Sequence, residues 1–205
     1  MEQRGQTFTL EALIGAILLL AAVAFALQAV SISSNTASIA DTELRGQQAG
    51  LAEGVVDRHA DEGTLTAVIL YWNESAQQFH MADERSGYYI SPDANTTFGN
   101  TSFGASLEGM LADSQIKYNI KLVYRGVNGS QETQQLVEAG TPSENAVRIT
   151  ETVTLTDDSM LVDPDENPRE NATLGEIGEE FYAPNVAPDR DLYNVVRIEV
   201  VLWEI

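Results

Sequence analysis

Hydrophobic positions run together at one end of this chain and alternate with polar ones at the other. From Ala12 to Val30 the sequence reads ALIGAILLLAAVAFALQAV, broken only by Gln28. At about 1.5 Å per residue this run spans roughly 28 Å, close to the hydrocarbon thickness of a bilayer. A soluble helix is rarely apolar all round, because one of its faces meets water. The run therefore reads as a transmembrane helix over 12–30. The rival reading is a cleaved secretory signal, whose apolar region is about 7–15 residues long and ends at a small-residue site.

Beyond Ser31 the period changes. Ile32, Ala40, Leu44, Leu51, Val55 and His59 or Val56 recur at threes, fours and sevens, the spacing of an amphipathic helix. The pattern predicts one long helix that leaves the membrane, becomes amphipathic over 31–63 and stops near Gly63. Gly46, Gly50 and Gly54 share one face of it. That spacing admits a second backbone, or it forms a groove filled by the protein's own sheet, which is the expectation here.

The remainder, 64–205, has the period of strands. Thr64–Trp72 is rich in branched and aromatic residues, and short strands are expected at Gln78–Met81 and Gly87–Ile90. Ser91–Gly104 reads as loop and Ser106–Asp113 as a short helix. Ile116–Tyr124 alternates, Val127-Asn-Gly-Ser130 is a hairpin turn signal, and Gln134–Glu138 returns. Ala146–Thr156 and Tyr193–Ile205 are the long strands. Between these two, 157–188 carries Pro164, Pro168, Pro184, Pro188 and many acids, and reads as an irregular acidic excursion. The expected fold is α+β: a long N-terminal helix, first transmembrane and then amphipathic, packed on a mostly antiparallel sheet.

Charge narrows the class of partner. Lys and Arg number 11 against 31 Asp and Glu, a formal net charge of −20, and the only lysines are Lys117 and Lys121. Nucleic acid needs clustered cations and is not an expected partner. A dense carboxylate surface suits high salt, where self-repulsion is screened. There is no cysteine, so thiol chemistry, disulfides and Cys-based metal sites are excluded.

Five Asn-X-Ser/Thr triplets follow the apolar run, at Asn73, Asn95, Asn100, Asn128 and Asn171. Each is an acceptor pattern for N-glycosylation of exposed, exported loops. With Arg4 ahead of the apolar run, they predict an N-terminus inside the cell and a C-terminal domain outside it. No nucleophile motif, phosphate loop or paired histidine occurs. His59 reads as a surface or packed residue. The best oxygen cluster, Asp157-Asp158 with Asp163-Pro-Asp-Glu-Asn167, lacks the glycine and the spacing of a calcium loop and reads as solvated. The chain is expected to be no enzyme, with no cofactor, no metal and no small-molecule substrate.

Arg4-Gly5, Gln6 and Glu11 ahead of the apolar run resemble the class III signal of archaeal type IV pilins and archaellins. The Tyr193-Asn-Val-Val close and the acidic strand pattern look like a family of uncharacterised haloarchaeal pilin-like membrane proteins. The resemblance makes 1–11 a cytoplasmic n-region and signal, processed by a prepilin peptidase between Gly5 and Gln6. It also implies a helix retained in membrane lipid and Glu11 paired with the new amino terminus of a neighbouring pilin subunit. In that family the acid is commonly the fifth residue of the mature chain; here it would be the sixth. The function implied is a non-enzymatic, single-pass, cell-surface pilin-like subunit, a minor component of a filament. The alternative is an anchored extracellular binding module that stays monomeric.

With this charge the domain should gain stability as salt rises, because screening relieves carboxylate repulsion. Thermal melts of residues 31–205 in low and in molar KCl check this. The midpoint is expected to rise with salt; a flat or falling midpoint contradicts the adaptation to salt.

Overall fold

The computed structural model describes residues 13–23, 46–47, 49–91, 98–112 and 114–204. The chain divides into two units, Met1–Gln47 and Gln48–Ile205. In the first, residues 13–23 are helical and their apolar side chains are exposed, Leu18 and Leu20 among them.

The second unit begins with helical residues 49–61 (α1), followed by α2 (Thr64–Ile69). Ala52, Val56 and His59 are buried on one side of α1, at helical spacing. Gly63 separates the two helices with φ 75, a left-handed conformation that glycine adopts without a Cβ penalty. Two short strands, β1 (Trp72–Asn73) and β2 (Gln78–Phe79), pair as a small hairpin. β3 (Tyr89–Ile90) and α3 (Ser102–Leu111) precede the main strands β4 (Ile116–Arg125), β5 (Gln131–Glu138) and β6 (Val147–Thr156). A second hairpin, β7 (Met160–Val162) with β8 (Pro168–Thr173), and the one-turn helix α4 (Leu174–Ile177) lead to β9 (Leu192–Glu204).

The principal sheet has the order β3-β5-β4-β9-β6. β3 runs parallel to β5 and every other neighbouring pair is antiparallel, so the sheet is mixed. The C-terminal strand β9 lies inside it, paired to β4 on one side and to β6 on the other. Alternation then sorts the side chains. Tyr118, Ile120 and Leu122 of β4 and Val196, Ile198 and Val200 of β9 enter the core, with the buried residues of α1, α2 and α3. The opposite face carries Lys121, Arg148 and Arg197, half-buried or exposed, beside the buried Val123, Glu199, Val201 and Trp203. β6 is an edge strand, and its inward-facing alternation carries the charged Glu151 among apolar neighbours, a device that discourages edge-to-edge pairing.

Several expectations are corrected. The α+β class stands, but among the described residues no long N-terminal helix is seen: the N-terminal helical stretches are 13–23, 46–47 and 49–61, and no helix is long and apolar enough to cross a membrane. The residues needed to join them, 24–45 and 48, lie outside the described ones. Thr64–Ile69 is a helix where a strand was expected: Leu65, Val68 and Ile69 are the buried positions, spaced at three and four. Packing on that face overrides the β preference of its branched residues. The glycine row is not filled by the sheet, since a Cβ on Gly50 or Gly54 would meet nothing within 4 Å. The 157–188 excursion is ordered by β7, β8 and α4, and aromatic groups fasten it. The Tyr71 hydroxyl donates to the Pro164 carbonyl at 3.0 Å, the Trp72 indole to Glu180 at 2.8 Å and the Tyr193 hydroxyl to Gly178 at 2.9 Å.

Two glycines of α3 give opposite forecasts. A Cβ on Gly109 would meet open space, whereas one on Gly104 would collide with the Phe98 carbonyl. Gly109→Ala should therefore stabilise by about 0.5–1 kcal/mol through helix propensity. Gly104→Ala should destabilise in spite of the same propensity gain. Urea unfolding of the two variants reads the sign directly; equal shifts would contradict the packing at Gly104.

Candidate functional site

The residues of the N-terminal signal, Arg4, Gly5, Gln6 and Glu11, lie outside the described residues, as does Asn95. Of the other triplets, Asn100, Asn128 and Asn171 are exposed. Asn128 stands at the tip of the β4–β5 hairpin beside Gly129, whose φ of 74 makes the tight turn. Asn73 is half-buried and its side-chain oxygen accepts a hydrogen bond from the Ala76 amide at 3.0 Å. Three of the triplet asparagines thus face solvent and a fourth is held in a turn.

The most unusual polar group lies on the outer face of the sheet. Glu199, in the middle of β9, is buried to 5% exposure. Lys121, directly across on β4, contacts it at 3.1 Å. Arg197, two residues back on the same strand, reaches it at 3.0 Å, and Arg148 of β6 pairs with its Oε2. Burial alone would raise this carboxyl; the Lys121 hydrogen bond and charge, with Arg197 and Arg148, outweigh it and hold it below the usual value. One carboxylate therefore gathers three cations on a chain whose acids outnumber its bases. Alternation within each strand puts these residues on one face, but only the strand register brings Lys121, Arg148 and Glu199 together. The sequence does not state that register.

A second polar network joins α1 to α3. Arg58 donates to His59 Nε2 at 3.1 Å and to Ser106 Oγ at 3.0 Å. Because Arg58 is only a donor, His59 carries its proton on Nδ1, which donates to Thr64 Oγ1 at 2.6 Å. Both ring nitrogens are thus engaged, and the ring stands edge-on to Phe103. His59 is 3% exposed, a packed residue as the sequence suggests. Burial, then the neighbouring Arg58 charge, lowers its pKa. Burial also lowers the pKa of His80, whose Nε2 is buried without a hydrogen bond.

The acidic loop organises itself. Asp163 Oδ1 accepts from the amides of Asp165 and Asn167, both at 2.9 Å. Glu166 turns away with φ 60 and accepts from the Ser102 amide at 2.9 Å, at the start of α3. Among the described residues no group of three or more His, Cys, Asp or Glu side chains is placed to hold a metal ion.

These features define a class: an α+β domain built on a five-stranded mixed sheet, with a closed aromatic core and a cation-bearing outer face. The chain belongs to a family of unknown function (DUF7288), whose model matches residues 4–202. No curated protein matches the chain, and no solved structure does.

His59 and His80 set a pH dependence. Their folded-state pKa values lie below the ordinary 6.5. On acidification the unfolded chain therefore binds protons before the folded one does. Stability should fall as pH drops below about 6.5 and level off once the folded values are passed. Melting midpoints between pH 7.5 and 5 should decline, and His59→Asn should flatten the decline. A midpoint independent of pH in this window contradicts the burial of neutral imidazoles.

Proposed function

We propose that this chain is a non-enzymatic subunit of the cell surface, held in the membrane by its apolar N-terminal stretch and pilin-like in its processing. In this reading it is a minor component of a type IV pilus-like filament. The observation that carries the reading is Arg4-Gly5, Gln6 and Glu11 set directly ahead of the apolar run Ala12–Val30. The exposed Asn100, Asn128 and Asn171 support a domain on the outer side, where such triplets are acceptors.

The chemistry of Glu11 fits assembly. A carboxylate at the edge of hydrocarbon costs several kcal/mol unless it finds a cation or the headgroup layer. Cleavage after Gly5 would place a new amino group on Gln6, five residues from Glu11. Along a helix this is about 7.5 Å of rise, too far for ready pairing within one subunit, so a shifted neighbour would supply the amine. One observation favours a second reading, an anchored binding module that stays monomeric: Glu11 would be the sixth residue of the mature chain, where the resembled family commonly has the acid fifth.

Protease added to intact cells should trim the domain, and the mature chain should begin at Gln6 by mass. Glu11→Gln should leave cleavage intact and remove the protein from sheared filaments, whereas Gly5→Val should block cleavage. A wild-type chain that keeps residues 1–5, or a Glu11→Gln chain recovered with filaments at the wild-type level, would favour the monomeric module. A domain cut only after lysis would overturn the outside location.

A further inference from the structure

The outer face of the sheet concentrates charge of the sign this chain otherwise avoids. Lys117, Lys121 and Arg125 of β4, Arg148 of β6 and Arg197 of β9 alternate onto it. They are five of the 11 Lys and Arg in the whole sequence and include both lysines. Among the residues of β4, β6 and β9 that share this face, Glu199 is the only carboxylate. One buried acid does not require three cations in contact with it. What Glu199 does is hold Lys121, Arg148 and Arg197 together against their mutual repulsion, leaving a positive excess that Glu144, which lines the same hollow as Lys121 and Arg148, offsets only in part. The cations remain reachable, with Lys121, Arg148 and Arg197 side chains 34%, 55% and 40% exposed. Thr150 and Thr152 beside them are exposed as well.

The same chain carries a complementary surface. On α1, Glu53, Asp57 and Asp61 are all exposed and recur once per turn, away from the buried Ala52, Val56 and His59. Their rise of about 6 Å per turn is close to the ~6.6 Å between alternate residues of a strand. Gly50 and Gly54 leave open space along this helix, so a second backbone can come close. Leu51 is 62% exposed beside them.

We propose that the cationic outer face of the sheet docks the acidic face of α1 from a second copy of this chain. The two surfaces differ, so the contact is heterologous, each copy offering one surface to the copy before and the other to the copy after. This deepens the reading of an assembling surface subunit and rests on that reading for its biological setting. Close pairs taken partly out of water are screened far less than exposed ones, so the contact is compatible with a salty medium.

The natural absence of cysteine gives the test a clean background. Full-length Asp57→Cys and Thr150→Cys chains are prepared in detergent solution and oxidised separately and as a mixture. The mixture should give a disulfide-linked dimer, and a chain carrying both substitutions should give a ladder, while either single variant alone gives little product. Adding Arg148→Glu, or Lys117→Glu outside the Glu199 cluster, to the Thr150→Cys chain should cut the mixed product at least about tenfold. Glu53→Arg on the other chain should restore part of it. Equal product from Thr150→Cys alone would mean a sheet-to-sheet contact and overturn the proposal. So would no product in any mixture, or product indifferent to both charge reversals. Retention of the chain on a carboxylated polysaccharide matrix without any crosslink would assign the face to an anionic polymer instead. The intact-cell protease assay is independent of all these outcomes, so failure of the contact is distinguishable from failure of the surface location.

Discussion

The pairing of β9 on both of its edges is the constraint on which the rest of the domain depends. From Arg197 to Leu202 every residue has a partner on β4 and another on β6. β9 is thus the strand that joins the β4 side of the sheet to the β6 side. Its inward side chains, Val196, Ile198 and Val200, are fully buried and touch the core that α1, α2 and α3 close from the other side. Each buried aliphatic group of this size contributes roughly 1.5–3 kcal/mol. On its outward side Glu199 and Arg197 supply the charged cluster among Val195, Val201 and Trp203, and Glu199 can gather Lys121 and Arg148 only while β4 and β6 flank it. Where β4 and β9 part, Asn194 takes over from the ladder. Its amide donates to the Arg125 and Pro184 carbonyls at 2.9 and 2.8 Å, and its oxygen accepts from the Arg125 amide at 3.2 Å.

A second constraint is the anchoring of the acidic excursion. A segment with this many carboxylates would repel itself away from the body of the domain. The structure counters this by pairing β7 with β8 and by sending Phe181 and Tyr182 inward. Tyr182 packs on Trp72, Phe79 and Tyr124, and its hydroxyl donates to the Ile69 carbonyl at 3.2 Å. Arg169 makes a two-pronged contact with Glu74, both hydrogen bonds at 2.7 Å. That contact holds the Glu74 carboxyl below its usual value, chiefly through the hydrogen bond to Arg169. Aromatic rings supply the buried area, and their polar tips satisfy carbonyls that the irregular backbone leaves unpaired.

Much of this was legible in the sequence, and what was not has physical causes. The strands β4, β6 and β9 are long, and their alternation shows where one face is buried; the Val127–Ser130 turn joins β4 to β5 as its residues suggest. Thr64–Ile69 misled because Val, Ile and Thr favour strands locally, while the helical spacing of Leu65, Val68 and Ile69 becomes decisive only once a core exists to receive that face. The 157–188 segment looked irregular because its strands are short and its prolines suggest loop, whereas its order comes from Tyr71 and Trp72, far away in sequence, and from Tyr193 just beyond it. The parallel pairing of β3 with β5 left no local trace. Glu199 was invisible as a site because alternation shows which side a residue faces and not which residues stand beside it.

β9 is expected to be the last element to give way, carrying both faces of the sheet with it. Residue-resolved amide hydrogen exchange of the folded protein tests this most directly. The amides of Ile198, Glu199 and Val200 should be the slowest in the domain, with the same opening free energy as their partners on β4 and β6 and equal to the global unfolding free energy. Exchange of β9 that is faster than that of α1 or β4, with an opening energy well below the global value, would contradict it.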